Sequence, residues 1–333
     1  MRTTSVMIQS LCVPCHNRCR YCLLSWDGRT EGAPWDRSAA LAERWLKELR
    51  DALPGISAGF SFGYSMEHPD LRRAIRTLRR LGSPTADFLQ CDGMEMRDAD
   101  GCAALMRMLR EEGVRQLGFT VYGLSAYHDR FAGRSGDYDL LLRMMRAAGE
   151  AGIPFRTGIP VTGENVGQID ELADILRRAG SGGVSLFIPH EEGRGRLLGK
   201  VRLRRQELSR LSPGSLELLN RRVYRPESEW LAGPDPAREE TRMILISLRE
   251  DTLERDEARS ALSALREIEA LDDAYYAAFP PFSALAGLYG DPGGDRLYRI
   301  RDLYSHYRTL YARDHGLQIY DVTDERRSGS RRS

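Results

Sequence analysis

The sequence predicts an α/β fold built around a parallel sheet. Short runs rich in β-branched and aromatic residues alternate with amphipathic helical patterns, which gives six strand-plus-helix units over roughly the first 200 residues. Parallel strands need long crossover connections, and helices supply them. Periodicity leaves two architectures open, a doubly wound open sheet and an incomplete barrel. In both, ligands bind at the carboxyl ends of the strands.

Each unit has its own signal in the sequence. The first helix carries Leu41, Trp45, Leu49 and Leu53 at helical spacing. Further helices are predicted from about residue 69, from about residue 98, after a cap at Ser135, and over 164–179. The predicted strands cover 5–11, 57–63, 86–91, 115–123, 153–161 and 182–189.

The alternation of strand and helix patterns ends after residue 200. Helical patterns dominate, with aromatic-rich stretches at 274–282 and 296–316, and one strand-like run at 242–248 interrupts them. The four tyrosines at positions 298, 304, 307 and 311 predict a packed helix face. We therefore expect a β/α domain over 1–200, a mainly helical region over 201–325, and a disordered tail over 326–333.

Charge and hydropathy exclude several classes of protein. The 49 Lys and Arg residues nearly balance the 48 Asp and Glu residues, so neither nucleic acid nor an anionic membrane is expected as a partner. No apolar run approaches the roughly 18 residues of a membrane span, and the N-terminus lacks a secretory signal. A cytoplasmic location is expected, where clustered cysteines bind metal more often than they form disulfides.

Four of the six cysteines lie in "LCVPCHNRCRYC" at 11–22. Cys15 and Cys19 have only three residues between them, too few for the two independent knuckles of a four-cysteine zinc site. Redox catalysis by the Cys12-x-x-Cys15 pair would leave the two later cysteines unexplained. Closely spaced thiolates on one loop are typical of iron–sulfur proteins. An iron–sulfur cluster is favoured, and zinc stays the alternative.

The motif Cys15-x-x-x-Cys19-x-x-Cys22, with Tyr21 before its last cysteine and a strand before its first, resembles the radical S-adenosylmethionine (radical SAM) superfamily. This resemblance implies a partial (β/α)6 TIM-like barrel. It also implies that the three cysteines hold a 4Fe-4S cluster and that Tyr21 contributes to the cofactor site. The fourth iron is left for the methionine part of S-adenosylmethionine (SAM). Cys12 is then surplus and is expected to pack beneath the loop; the alternative is that it replaces one of the three cysteines as a ligand.

The resemblance covers about residues 5–200 and includes "FGYSMEHPDL" at 62–71, where the family's His-Pro-Asp-Leu helix start is intact. The preceding Gly-Gly-Glu-Pro motif, which holds the SAM amino group in the family, is reduced to Gly63, with Tyr64 in place of the glutamate. The ammonium protons must then go to the hydroxyls of Tyr64 or Ser65, to main-chain carbonyls, or to Glu67. We favour the carbonyls.

Further polar residues follow the later strands. Thr120, in a strand end similar to the family's Ser/Thr-x-Tyr-Gly, is assigned to the cofactor site. Asn165 either faces the ribose or, alone or with Thr162, caps the next helix. The "HDR" motif that contains His128 and Asp129 is expected to brace a loop outside the pocket.

Two residues are candidates for catalysis. Cys91 closes the third strand and either donates a hydrogen atom to a substrate radical or is a buried apolar side chain. His190 follows the sixth strand and either points into the pocket or is a solvated loop histidine. Cys102 is expected to belong to the core.

The resemblance implies an enzyme that cleaves SAM reductively to a 5′-deoxyadenosyl radical and abstracts hydrogen from a small-molecule or peptide substrate. A flavodoxin- or ferredoxin-type protein would donate the electron. Only Cys91 and Cys102 remain outside the N-terminal cluster, so no cysteine-rich auxiliary-cluster (SPASM-type) domain is expected. The helices after residue 200 would keep the pocket dry. The rival hypothesis is a cysteine-zinc interaction protein on a β/α scaffold.

Overall fold

The architecture is visible in a computed structural model that describes residues 2–10, 15–22, 33–61, 67–236, 241–317 and 319. The first six strands are β1 (Arg2–Ser10), β2 (Ser57–Ser61), β3 (Phe88–Gln90), β4 (Gln116–Thr120), β5 (Phe155–Pro160) and β6 (Val184–Phe187). The helices between and after them are α1 (Trp35–Ala52), α2 (Leu71–Arg80), α3 (Ala99–Glu111), α4 (Ser125–Ala132), α5 (Asp137–Glu150) and α6 (Ile169–Arg178).

The remaining elements follow a 310 segment at Gly193–Val201. They are α7 (Pro213–Glu217), β7 (Arg225–Pro226), α8 (Glu227–Leu231), β8 (Thr241–Leu248), α9 (Glu250–Glu257), α10 (Ala261–Ala277), α11 (Phe282–Tyr289), β9 (Leu297–Tyr298) and α12 (Ile300–His315). The region after residue 200 is therefore mainly helical, as predicted.

All of the first six strands belong to parallel sheets. One sheet has the order β2-β1-β8 and the other the order β3-β4-β5-β6. The predicted α/β fold, a partial TIM-like barrel of strand–helix units, is confirmed. Strand β8 was predicted as a strand-like run among helices, yet it pairs in parallel with β1 from Arg2 opposite Thr241 to Ser10 opposite Leu248, with a register shift between Thr3 and Ser5. The C-terminal part of the chain thus contributes a strand to the N-terminal sheet.

The core lies between the strands and the helices that cover them. Val6 and Ile8 of β1 are fully buried, and so are Trp45 and Leu49 on the predicted face of α1. Leu53, predicted on the same face, instead follows the last turn as the C-cap. Burial of each large apolar side chain contributes about 1.5–3 kcal/mol, so this face fixes α1 against the sheet.

Two predicted helix starts are confirmed, because the carboxylates of Asp70 and Asp98 accept backbone N–H bonds at the starts of α2 and α3. The predicted cap at Ser135 is wrong. The Asp129 carboxylate caps α5 instead, accepting from the backbone N–H groups of Gly136 at 2.6 Å and Tyr138 at 3.0 Å.

The predicted tyrosine face is only partly helical. Tyr298 lies in β9, before α12 begins, while Tyr304, Tyr307 and Tyr311 are on the helix and pack in one cluster with Phe282. The helices of the described residues include none that is long and apolar enough to cross a membrane. The predicted tail at 326–333 lies outside the described residues.

Candidate functional site

The cysteine loop, residues 15–22, lies against segments that follow three different strands. His16 donates its backbone N–H to Gly93 O at 2.9 Å, just after β3. Arg18 and Arg20 donate theirs to the carbonyls of Ala132 and Phe131, at the end of α4. After β6, Arg194 donates its N–H to Cys22 O at 2.9 Å. The loop is therefore fixed at the carboxyl ends of the strands, where ligands bind in α/β folds.

A buried polar chain reinforces this anchoring. Asn17 Nδ2 donates to Asp137 Oδ2 at 2.9 Å, and His128 Nε2 lies 3.0 Å from the same oxygen. The other ring nitrogen of His128 accepts from Tyr122 N at 3.0 Å. All of these side chains are buried. His128 therefore has a bracing role, as the sequence predicts, but the loop that it ties to the end of β4 is the cysteine loop and not a loop outside the pocket.

The three thiols of the loop are free and partly buried. The Cys19 sulfur lies 3.0 Å from the Tyr122 hydroxyl. Cys15 packs on Gly93, where an added Cβ would fall well inside van der Waals contact of its sulfur. Burial raises the pKa of Cys15 to about 11 and also raises that of Cys19. Metal binding must therefore displace protons from these thiols.

This donor set fits a 4Fe-4S cluster. Such clusters are held by one thiolate per iron, and the thiols lie close enough that the charges of Cys15 and Cys22 raise the pKa of Cys19 and the charge of Cys22 raises that of Cys15. Among the described residues, no three or more His, Cys, Asp and Glu side chains are grouped around a position for one metal ion. Cys12 lies outside the described residues.

Tyr21 forms part of an aromatic cluster beside the thiols. Its ring centroid lies 5.6 Å from that of Tyr122, 5.8 Å from that of Phe131 and 6.2 Å from that of Phe187. These rings come from the loop, from α4 and from the ends of β4 and β6. The cluster gives the thiols an apolar wall, and burial raises the pKa of the Tyr21 hydroxyl.

Of the predicted SAM contacts, Gly63, Tyr64 and Ser65 lie outside the described residues. Glu67, the alternative acceptor for the ammonium, is engaged elsewhere. Both of its oxygens accept from the Arg97 guanidinium at 2.7 Å, and one also accepts from Glu95 N at 3.0 Å.

The sequence analysis missed Asp92, which follows β3 at the same edge. Its Oδ1 accepts from Thr120 N at 2.8 Å, and its Oδ2 accepts from Thr120 Oγ1 at 2.7 Å and Gln90 Nε2 at 2.6 Å. Burial raises its pKa to about 6. Thr120 thus lies at the predicted edge with its hydroxyl hydrogen donated to Asp92. The available signal was an acidic residue directly after a strand, in "LQCDG".

Asn165 is fully buried, and its amide atoms are hydrogen-bonded within the protein. Nδ2 donates to Tyr122 O at 2.7 Å and Pro160 O at 2.8 Å, and Oδ1 accepts from Thr162 N at 2.8 Å. The Asn165 side chain does not cap the 310 turn that follows it, Val166–Gln168. It joins the ends of β4 and β5, and a ribose contact, which would have to share these bonds, stays a prediction.

The two catalytic candidates are in different surroundings. Cys91 is fully buried in the main core, and burial raises its pKa well above the usual value. Its surroundings match the buried apolar alternative, as do those of Cys102. His190 Nδ1 contacts the Arg299 guanidinium and lies 3.7 Å from Asp302 Oδ1, and 27% of its side chain is exposed. It is therefore bound to α12. Catalytic roles for Cys91 and His190 stay predictions.

The loop after β6 is joined to β9 and α12 by contacts of two buried residues, Arg202 and Glu191, which also form an ion pair with each other. Arg202 Nη1 lies 2.9 Å from Glu191 Oε2, and the Arg202 guanidinium stacks 4.0 Å from the Tyr298 ring centroid. Glu191 Oε1 lies 3.1 Å from His306 Nδ1, and Ser305 Oγ donates to Glu191 O at 3.0 Å. These contacts bring the helical region against the segment that also contacts Cys22.

Comparisons with known proteins agree with the resemblance. The model of the Radical SAM superfamily matches residues 11–176. No curated protein matches the chain at a significant level. Among solved structures, SuiB from Streptococcus suis bound to precursor peptide SuiA is 16% identical with a TM-score of 0.43, over 57% of this chain and 40% of that chain.

Two further solved structures are similar at comparable levels. Coproporphyrinogen III oxidase (HemN) from Escherichia coli, a radical SAM enzyme, is 15% identical with a TM-score of 0.46, over 67% of this chain and 54% of that chain. The protein anSMEcpe with bound AdoMet and Kp18Cys peptide is 13% identical with a TM-score of 0.44, over 64% of this chain and 59% of that chain. The chain spans 40% to 59% of the length of these three proteins.

Proposed function

Because the chain belongs to the radical SAM superfamily, we propose that it is an enzyme that cleaves SAM reductively and abstracts hydrogen from a small-molecule or peptide substrate. When bound, a 4Fe-4S cluster supplies the electron that splits SAM into methionine and a 5′-deoxyadenosyl radical, which takes the hydrogen atom. The protein's own contribution is to bind, orient and shield these groups.

The observation that carries this proposal is the anchoring of the cysteine loop at the carboxyl ends of the strands. Backbone hydrogen bonds with residues after β3, at the end of α4 and after β6 hold the loop, and the bond from Asn17 to Asp137 joins it to the start of α5. Cys15, Cys19 and Cys22 are the proposed cluster ligands. Thr120 and Tyr21, which border the same edge, are proposed to contact SAM, and so are Gly63, Tyr64 and Ser65 after β2.

Closure of the pocket is the second requirement, because a primary carbon radical takes hydrogen from other C–H or S–H groups that reach it. We propose that the region after residue 200 covers the pocket and selects the substrate. The contacts that Arg202 makes with Tyr298 and that Glu191 makes with His306 support this role, since they hold β9 and α12 against the loop that follows β6. A flavodoxin- or ferredoxin-type protein is the proposed electron donor.

Anaerobic reconstitution with iron and sulfide tests the proposal. The wild-type protein is expected to bind both elements and, with dithionite and SAM, to form 5′-deoxyadenosine. Cys15→Ala, Cys19→Ala and Cys22→Ala should each abolish the product, because each removes one thiolate from the cluster. Cys12→Ala, which removes the fourth cysteine of the same sequence motif, is the matched control and should retain most of the product.

Two outcomes would contradict the proposal. A colourless protein that binds one zinc ion, with no sulfide, would support the cysteine-zinc interaction protein instead. If Cys12→Ala is as inactive as the other three variants, the assignment of the cluster ligands is wrong.

A further inference from the structure

Tyr122, two residues after the end of β4, places a hydroxyl group against one of the proposed cluster ligands. Its oxygen lies 3.0 Å from the Cys19 sulfur, and either atom can donate the hydrogen while the thiol is protonated. Tyr122 is 2% exposed, and Cys19 is partly buried. The contact is therefore largely shielded from water, which would otherwise compete for both groups.

The rest of Tyr122 is held in place by other contacts. Its backbone N–H donates to His128 Nδ1 at 3.0 Å, and its carbonyl accepts from Asn165 Nδ2 at 2.7 Å. Its ring stacks on the His128 ring with 4.8 Å between the centroids, and its centroid lies 4.9 Å from that of Phe131. These contacts direct the hydroxyl towards Cys19 without involving it, so its removal should leave the ring in position.

Metal binding decides which of the two groups donates the hydrogen. A cysteine binds iron as a thiolate, which has no hydrogen to donate. A tyrosine hydroxyl has an ordinary pKa of about 10 and keeps its hydrogen at neutral pH. The Tyr21 hydroxyl is also hydrogen-bonded to Tyr122, but a neutral oxygen is a weaker acceptor than a thiolate. The Tyr122 hydrogen is therefore directed to Cys19 when that cysteine binds iron.

We propose that Tyr122 is a positioning residue whose hydroxyl donates a hydrogen bond to the Cys19 thiolate and thereby raises the reduction potential of the cluster. Hydrogen bonds to the sulfurs are among the features that set this potential in iron–sulfur proteins. One-electron reduction adds a negative charge beside the hydroxyl, so the donor stabilises the reduced form more than the oxidised form. No proton is transferred. This inference rests on the proposed function.

The alternative is that the hydroxyl only packs beside the cysteine loop. Tyr122→Phe separates the two roles, because it removes the oxygen and keeps the ring. Tyr127→Phe is the matched control. Tyr127 is 5% exposed in the same aromatic cluster, and its hydroxyl lies 3.2 Å from Thr162 Oγ1. Both variants lose a buried tyrosine hydroxyl, but Tyr122→Phe alone loses the one that contacts a proposed cluster ligand.

The midpoint potential of the reconstituted protein is measured without SAM, by an anaerobic redox titration followed by electron paramagnetic resonance. Tyr122→Phe is expected to lower the equilibrium constant for reduction about threefold to tenfold, which is part of the strength of one charge-assisted hydrogen bond. A tenfold change corresponds to about 59 mV for a one-electron couple. The wild type and Tyr127→Phe should share one potential, and all three proteins should bind equal amounts of iron and sulfide.

A second substitution predicts a shift of opposite sign. Placing 3-fluorotyrosine at position 122 keeps both the ring and the hydroxyl, but the fluorine makes the hydroxyl more acidic and therefore a stronger donor. The potential of this protein should lie above that of the wild type. A hydroxyl that only packs predicts no such order of the three potentials.

Two results would overturn the inference: equal potentials in the wild type and Tyr122→Phe, or equal shifts in Tyr122→Phe and Tyr127→Phe. If Tyr122→Phe fails to fold or to bind iron, the fluorinated protein decides, because a potential at or below that of the wild type excludes the donor role. A wild type that forms 5′-deoxyadenosine, with variants of unchanged potential, refutes this inference and leaves the proposed function standing. A wild type without iron overturns both.

Discussion

Gly93 illustrates how a single residue fixes the position of a cysteine ligand. Its φ of +65° lies in the left-handed region that favours glycine, and its missing side chain leaves the space that the Cys15 sulfur occupies. Its carbonyl also accepts the His16 N–H. The backbone conformation and the close approach of the sulfur both restrict this position to glycine.

Gly93→Ala is expected to impair cluster binding. The new methyl group would overlap the Cys15 sulfur and displace it, so iron incorporation should fall severalfold. Gly152→Ala is the control, because Gly152 has a similar φ of +68° but no neighbouring atom within 4 Å of an added Cβ. Both variants carry the left-handed strain of roughly 1–2 kcal/mol. If they bind equal amounts of iron per chain, the proposed packing of Cys15 on Gly93 is wrong.

Asp137 is the second residue on which the loop depends, because one of its oxygens contacts both Asn17 and His128. Asp137→Ala should lower the free energy of unfolding by about 3–5 kcal/mol, since it leaves two buried polar side chains without this partner. Asp139→Ala, an exposed substitution in the same turn of α5, should change it little. Urea denaturation measures both, and equal values for the two variants would refute the bracing role.

At the scale of elements, β8 joins the C-terminal region to the N-terminal sheet. Arg242, near the start of β8, is buried and lies 2.7 Å from Asp272 and 2.9 Å from Asp273 on α10. Its Nε also donates to Thr3 Oγ1 of β1 at 3.2 Å. One guanidinium therefore connects two strands and a helix that are far apart in sequence.

Arg242→Ala is expected to cost about 3–5 kcal/mol of unfolding free energy, the range for breaking a buried ion pair by removing one partner. Arg313→Ala is the control, because Arg313 pairs with Asp314 on the surface, where such pairs contribute little. Urea denaturation checks both variants. A loss below 1 kcal/mol for Arg242→Ala would show that β8 is held by its ladder and apolar contacts alone.

Glu112, at the end of α3, connects that helix to α2. Its ion pairs lead us to predict that the stability of the fold depends on pH. Hydrogen bonds from Arg76 lower its pKa below the usual 4.5. The pairing therefore stabilises the fold above pH 4.5, and this contribution is lost as the pH falls through the lower pKa of the folded state. Glu112→Gln should be less stable than the wild type at pH 7, and the difference should shrink towards pH 3. A difference in stability between Glu112→Gln and the wild type that does not change with pH would contradict this role of the Glu112 carboxylate.

At the scale of the whole molecule, features that depend on local sequence patterns could be predicted, whereas contacts between distant segments could not. Alternating strand and helix signals gave the parallel architecture, and the spacing of Cys15, Cys19 and Cys22 gave the family. The pairing of β8 with β1 could not be predicted, because it joins segments more than 230 residues apart. The side-chain partners of Asp92 and Asn165 could not be predicted either, because they depend on which strands are neighbours in the sheet.

The central claim is that Cys15, Cys19 and Cys22 hold a 4Fe-4S cluster with one iron open to SAM. Electron paramagnetic resonance of the reconstituted, dithionite-reduced protein tests it most directly, with spectra recorded before and after addition of SAM. We predict the signal of a reduced 4Fe-4S cluster whose g-values shift when SAM is added. A spectrum that SAM leaves unchanged, or a protein that contains no iron and sulfide, would contradict the claim.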